Sequence, residues 1–107
     1  MKFIAIYGMP AAAIAEYMKT STPEQQKKSM EDWKTWSKSH SAIVDMGAPL
    51  GKNMRITKEG AAPMSNEVGG YSFIEAESAE KAAEIFKDCP HFVMPGAYIE
   101  LMPCLQM

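Results

Sequence analysis

The most constraining feature of the chain is its first apolar run, Phe3–Tyr7, within the segment "KFIAIYG". Its β-branched and aromatic residues favour a strand, and Gly8 and Pro10 end it. Side chains alternate between the two faces of a strand, so a sheet with one wet face shows alternating polarity. This run has no polar alternate. Both faces of its strand are therefore expected to be covered.

The remaining pattern predicts two helices and four further strands. Thr22 can cap a helix that begins at Pro23 and runs to about His40, and Gln25 completes a capping box. Ser78 can cap an alanine-rich second helix. The further strands are predicted within 41–51, 53–60, 71–77 and 97–105, the second helix within 79–88, a short helical turn or ordered loop at 11–20, and a polar loop at 58–70.

The resulting order, β-α-β-β-β-α-β, contains the split βαβ arrangement of a ferredoxin-like domain. We therefore predict an α+β ferredoxin-like sandwich in one domain, residues 1–107. Two helices cover only one face of such a sheet. A second copy of the chain is the simplest cover for the other face, so a homodimer is predicted.

Composition and charge argue against several classes of partner. The net charge is −2 and the 11 Lys and Arg residues are scattered, which does not favour nucleic acid. No apolar run approaches the roughly 20 residues that span a bilayer. The N-terminal segment is better explained as a strand than as a signal peptide, and this predicts a cytoplasmic protein. Cys89 and Cys104 are expected to be small buried hydrophobes, and no motif indicates a metal or another cofactor.

A family resemblance is carried by three motifs: the run "EVGGYSFIEAESAEKAAEIFKDCPHF…AYIEL", the "W..W" helix, and "IVDMGAPLG". The chain resembles the YCII-related proteins, including the branch named for its Asp-Gly-Pro-Phe motif, from Phe3 to Met102. The resemblance implies a dimeric α/β barrel in which two ferredoxin-like sheets pack face to face around a cavity. The family is mostly uncharacterised. Some members look like small enzymes or enzyme-like proteins with a proposed His–Asp pair, one branch is similar to a dehydrochlorinase, and others are accessory partners of transcription machinery.

The chain departs from the family pattern at three places. The segment "GAAPM" stands where the Asp-Gly-Pro-Phe motif is expected, and no histidine occurs near Asp32, where the family histidine would fall. The family acid, usually directly before proline, corresponds to Asp88, but Cys89 intervenes.

Three residues are candidates for catalysis: Asp45, Asp88 and His91. Asp45 lies among apolar residues on a predicted strand. It either faces a wet cavity, where it could act as a base, or pairs with Arg55. Asp88 could orient His91 as an acid or base, although a polar residue after a helix end also serves as a cap.

Five residues are candidates for ligand binding. Trp33, Trp36 and His40 share one stripe of the first helix, which is either packed core or the end of a cavity. Tyr71 and Glu100 could face the same cavity as Asp45, and Tyr7, Ser72 and Tyr98 are weaker candidates.

We therefore expect a small homodimeric protein that binds an apolar or aromatic molecule in a barrel cavity. Two alternatives stay open. One is a cofactor-independent lyase or isomerase that uses Asp45 or an Asp88–His91 pair. The other is a non-catalytic interaction module with a surface rich in methionine, of which the chain has ten.

Overall fold

The computed structural model describes residues 1–106. In chain order its elements are β1 (Lys2–Gly8), α1 (Ala11–Thr20), α2 (Pro23–Ser39), β2 (Ile43–Asp45), β3 (Asn53–Thr57), β4 (Gly60–Met64), β5 (Val68–Glu75), α3 (Ala79–Ile85) and β6 (Tyr98–Pro103), with 3-10 turns at Phe86–Asp88 and Pro90–Val93.

The main sheet has four antiparallel strands in the order β2-β5-β1-β6. Helix α2 lies on the connection from β1 to β2, and β5 is placed between these two strands in the sheet. Helix α3 connects β5 to β6, and β1 is placed between those two. This is the double split βαβ arrangement. The predicted ferredoxin-like α+β fold is confirmed.

One face of this sheet carries the core, against α2 and α3. The odd-numbered residues of β1, which are Phe3, Ala5 and Tyr7, are buried there, and Ile74 of β5 is fully buried beside them. Trp36 of α2 and Phe86 complete the apolar contacts. The helices hold these positions because apolar residues recur at helical spacing on their inner faces.

The predicted helix starts are confirmed. The Thr22 side chain accepts from the backbone N–H of Gln25, whose side chain accepts from the N–H of Thr22. Ser78 caps α3 by accepting from the N–H of Lys81. These contacts satisfy amide groups that a helix leaves unpaired in its first turn.

Two segments differ from the sequence-based expectation. Residues 11–20, expected as a short helical turn or an ordered loop, form the ten-residue helix α1, which has no buried residue. The segment expected as a polar loop contains β4, which pairs with β3 from Asn53↔Met64 to Thr57↔Gly60. Its alanines and Pro63 are weak strand formers, so pairing with β3 overrides local propensity. Most side chains of α1 and of the β3–β4 hairpin are exposed.

No helix within residues 1–106 is long and apolar enough to cross a membrane.

The burial of Ile74 gives a stability test with a matched control. Ile74 is 0% exposed, whereas Ile56 on the β3–β4 hairpin is 76% exposed. Ile74→Ala should lower the free energy of unfolding by about 2–5 kcal/mol, because a cavity remains in the core. Ile56→Ala should change it by about 0.5 kcal/mol or less. Urea denaturation measures both, and equal effects would contradict the described core.

Candidate functional site

The second face of the main sheet is not covered by any element within residues 1–106. We call it the open face. Two rows of side chains cross it in register. One row is Tyr71, Ile6 and Glu100, and the other is Phe73, Ile4 and Met102. Because directly opposed residues in an antiparallel pair share a face, each row forms a continuous strip.

The centre of the open face is apolar and its ends are polar. Met102 is substantially exposed, and Ile4, Ile6 and Phe73 are half-buried. The Lys2 ammonium lies 4.6 Å from the centre of the Phe73 ring. The Tyr71 side chain and the Glu100 carboxylate end the other row. An apolar floor with a few polar groups is the usual composition of a small-molecule site.

Tyr98 borders the open face at the end of β6. Its hydroxyl donates to the Glu67 carboxylate at 2.6 Å, and this hydrogen bond raises the pKa of Tyr98 to about 12. The Tyr98 ring covers Gly8, and a Cβ at Gly8 would lie 2.5 Å from that ring. Glycine at this position therefore allows the ring to lie across the main chain.

On the helix side, Tyr7 and Ser72 form a buried polar contact. The Tyr7 hydroxyl donates to Ser72 Oγ at 2.8 Å, and Ser72 Oγ donates to the Met46 carbonyl at 2.7 Å. Burial raises the pKa of the Tyr7 phenol far above its ordinary value, so it stays protonated. The Trp33 ring packs edge-on against Tyr7, with centroids 4.9 Å apart. Protein side chains therefore fill the space around the Tyr7 ring.

His91 is buried and lies beside the Tyr7 ring. Its Nε2 is 2.8 Å from the Gly8 carbonyl oxygen and 3.1 Å from that of Tyr98. Both partners are acceptors, so Nε2 carries a hydrogen and donates. These hydrogen bonds hold the segment after α3 against the last residue of β1 and the first residue of β6.

Asp88 does not orient His91, as one hypothesis proposed, but contacts two residues of the α2 stripe. Its Oδ1 accepts from Trp36 Nε1 at 3.1 Å and lies 3.1 Å from His40 Nε2. Desolvation raises the pKa of the Asp88 carboxyl, but the hydrogen bonds with Trp36 and His40 outweigh it and hold the pKa below its ordinary value. The Asp88 side chain is 66% exposed, so this cluster lies at the surface.

The side chains of Asp45 and Cys89 have structural roles in this protomer. Asp45 is exposed, and its Oδ1 accepts from the Gly47 N–H at 2.8 Å in a tight turn, rather than pairing with Arg55. Gly47 has a φ of 72°, and a side chain there would collide with the Tyr71 carbonyl. Burial raises the pKa of Cys89 to about 12, so its thiol is protonated at neutral pH.

Apart from Asp45, the predicted site residues fall into two groups in the structure. Trp33, Trp36, His40, Asp88 and His91 lie on the helix side, whereas Tyr71 and Glu100 lie together on the open face. Sequence reasoning missed Ile4, Ile6, Phe73 and Met102 as partners of Tyr71. The alternation of β5, with small or apolar residues between Tyr71, Phe73 and Glu75, was the signal that could have found one of them.

The described residues contain no group of three or more His, Cys, Asp and Glu side chains arranged to hold a metal ion. No protein-family model matches the chain, and no curated protein matches it in sequence.

Solved structures do show a similar fold. One is 5-chloro-2-hydroxyhydroquinone dehydrochlorinase from Burkholderia phenoliruptrix AC1100, in complex with 2,5-dihydroxybenzoquinone. The two chains share 13% sequence identity with a TM-score of 0.53, over 94% of this chain and 91% of the other. At this identity the likeness shows the fold alone.

The Asp88 cluster generates a pH prediction. Because the pKa of Asp88 is lowered in the folded protein, its ionised form stabilises the fold above the ordinary pKa, and this contribution is lost as the pH falls through the folded-state pKa. The Trp36 indole N–H signal, followed by NMR, should therefore titrate with a midpoint below 3.8. In Asp88→Asn that titration should disappear. A midpoint at or above the ordinary value would contradict the described hydrogen bonds.

Proposed function

We propose that this chain is a cytoplasmic YCII-related protein, a single domain over residues 1–107, that dimerises through its open face and binds a small aromatic or apolar molecule between the two sheets. The observation that carries the proposal is the half-exposed apolar strip of Phe73, Ile4 and Met102 beside Tyr71 and Glu100. A contiguous apolar patch with a polar border is typical of an interaction or ligand surface.

The dimensions of the protomer support a missing second layer. Its smallest extent is 20 Å, which fits one sheet with one layer of helices, since packed layers lie about 10 Å apart. A second copy related by a two-fold axis would present the same strip to this one. Apolar strips are self-complementary in that arrangement, because neither copy brings an unpaired charge to the centre.

We infer the position of the ligand from which face of the sheet is filled by protein side chains and which face is exposed. Aromatic side chains fill the space between β1 and α2, from Trp33 to Tyr7 and His91. On the open face, Tyr71 and Glu100 flank Ile6 and offer a phenol and a carboxylate above an apolar floor. This set suits a planar ring that carries hydroxyl groups, because the ring lies against Ile6 and the hydroxyls donate to Glu100.

The similar solved structure supports this class of ligand. That dehydrochlorinase holds 2,5-dihydroxybenzoquinone, a small planar ring with hydroxyl groups. The same molecule is therefore the first probe for this chain.

A second candidate function is proton transfer by a lyase or isomerase. It is favoured by the contact between Asp88 and His40 Nε2 at 3.1 Å, in which the carboxylate orients the imidazole. Asp88 contacts Trp36 on the helix side, so this function requires a ligand away from Tyr71 and Glu100.

The dimer is tested by placing a charge on the open face. Phe73→Glu should shift the protein to monomers, because burying an unpaired carboxylate is strongly unfavourable. Phe92→Glu is the matched control, since Phe92 is on the helix side and 49% exposed. Sedimentation velocity should show a dimer for the unmodified protein and for Phe92→Glu. A monomer in all three samples would contradict the proposal.

The ligand site is tested by calorimetric titration with 2,5-dihydroxybenzoquinone. Tyr71→Phe and Glu100→Gln should each weaken binding by about tenfold, because each removes a hydrogen bond at a desolvated site. Asp88→Asn should leave the affinity unchanged. The opposite result, with loss only in Asp88→Asn, would move the site to the helix side and favour the second candidate.

A further inference from the structure

Strand β6 is an edge of the main sheet, and the register shows which of its main-chain groups are unpaired. The N–H of Cys104 donates to the Lys2 carbonyl at 2.8 Å. Hydrogen-bonded residues alternate along an antiparallel pair, so Glu100 and Met102 also bond to β1. The N–H and C=O groups of Ile99 and Leu101 therefore point away from the sheet, and no other segment within residues 1–106 bonds to them.

Pro103 agrees with this assignment. It is the next outward-pointing residue of β6, and proline has no N–H to lose at a free edge. A proline that pointed toward β1 would instead have removed a ladder hydrogen bond.

An apolar recess adjoins this free edge. Its volume is about 280 Å³, and it lies between α3, the turns after it, and β6. The residues that line it are Ala83, Phe86, Lys87, Phe92, Ile99 and Leu101. Ile99 and Leu101 stand opposite Tyr7 and Ala5, so their side chains point to the helix side of the sheet, where the recess is.

We propose that the β6 edge and this recess bind an extended peptide segment of a partner protein. The peptide adds a strand beside β6 and hydrogen-bonds with the main chain of Ile99 and Leu101. Residues of the peptide opposite these two point into the recess, about 7 Å apart, because alternate side chains of a strand share a face. Apolar side chains at alternate positions fit that lining.

Charge favours an acidic residue in the same peptide. Among residues 1–106, Lys87 is the only ionisable residue that lines the recess, and a carboxylate on the peptide would pair with it. A second copy of β6 fits less well. Its helix-side residues are Ile99, Leu101 and Pro103, so it would bring no carboxylate to Lys87. Glu100 and Met102 of the same strand belong to the open face, so the alternate side chains of the peptide would lie beside the proposed dimer interface.

The first test is selection from a phage-displayed library of random ten-residue peptides. Leu101→Pro serves for counter-selection, because it removes an outward N–H and leaves the hydrogen bonds to β1 in place. Leu101→Ala is the matched control, since it shortens the same side chain and keeps the N–H. Enriched peptides should carry apolar residues at alternate positions and one acid.

A selected synthetic peptide should then bind Leu101→Pro at least about fivefold more weakly than Leu101→Ala, the loss expected for one hydrogen bond of about 1 kcal/mol. Lys87→Glu should weaken binding of an acidic peptide further than Lys87→Gln. Failure to enrich any peptide over the counter-selection, or equal binding to Leu101→Pro and Leu101→Ala, would overturn the proposal.

Amide hydrogen exchange in the unmodified protein detects peptide binding without relying on a variant that could misfold. In the unliganded protein, Ile99 and Leu101 should exchange fast, and Glu100 and Met102 should exchange slowly. The selected peptide should slow Ile99 and Leu101 only. If these two amides are already slow, and Leu101→Pro lowers the sedimenting mass, the edge joins two copies of the chain and the peptide site is excluded.

Discussion

The central position of β1 is the constraint on which the rest of the structure depends. Its odd-numbered main-chain groups bond to β5 and its even-numbered ones to β6, as the contacts of Met1 with Ala76 and of Lys2 with Cys104 show at the strand start. Its side chains divide in the same way. Phe3, Ala5 and Tyr7 enter the core, and Ile4 and Ile6 form the middle of the open face. No charged residue interrupts Phe3–Tyr7, and for this reason we propose cover on both sides of the strand.

The two faces of the sheet differ in how their apolar side chains are covered. On the helix side, Trp36 and Phe86 fill the space, and the polar groups of Tyr7 and Ser72 satisfy each other. The space between β1 and α2 is therefore filled, because protein cores hold few voids larger than a water molecule, and the recess beside β6 lies at the edge of this layer. The open face has the opposite character, with apolar side chains that stay half-exposed in a single protomer. The proposed function is located there for that reason.

Much of the fold could be predicted from local signals. The capping box at Thr22, the cap at Ser78 and the apolar strand at Phe3–Tyr7 are each set by interactions within a few residues, and all three are confirmed. The pairing of β3 with β4 could not be predicted, because Gly60 to Met64 has weak strand propensity and is held by its partner. The α1 helix has no buried residue to create a periodic signal.

The candidate site was less predictable, since it depends on which strands are neighbours. Asp88 and His91 are close in sequence, and this suggested a pair, but Asp88 reaches across to Trp36 and His40 on α2. Tyr71 and Glu100 were expected to share one space, and the register places both beside Ile6. Their role in binding stays a prediction. Strand register, which one sequence does not fix, decided both outcomes.

The most direct test of the account is whether the open faces of two copies touch in solution. An isotope-filtered NMR experiment on mixed ¹³C-labelled and unlabelled chains detects contacts between copies only. A dimer through the open face should give intermolecular NOEs from the Ile4 and Ile6 methyl groups to the Phe73 ring or the Met102 methyl. Intermolecular NOEs that arise only from other surfaces, such as Met18 of α1, or no intermolecular NOE at all, would contradict it.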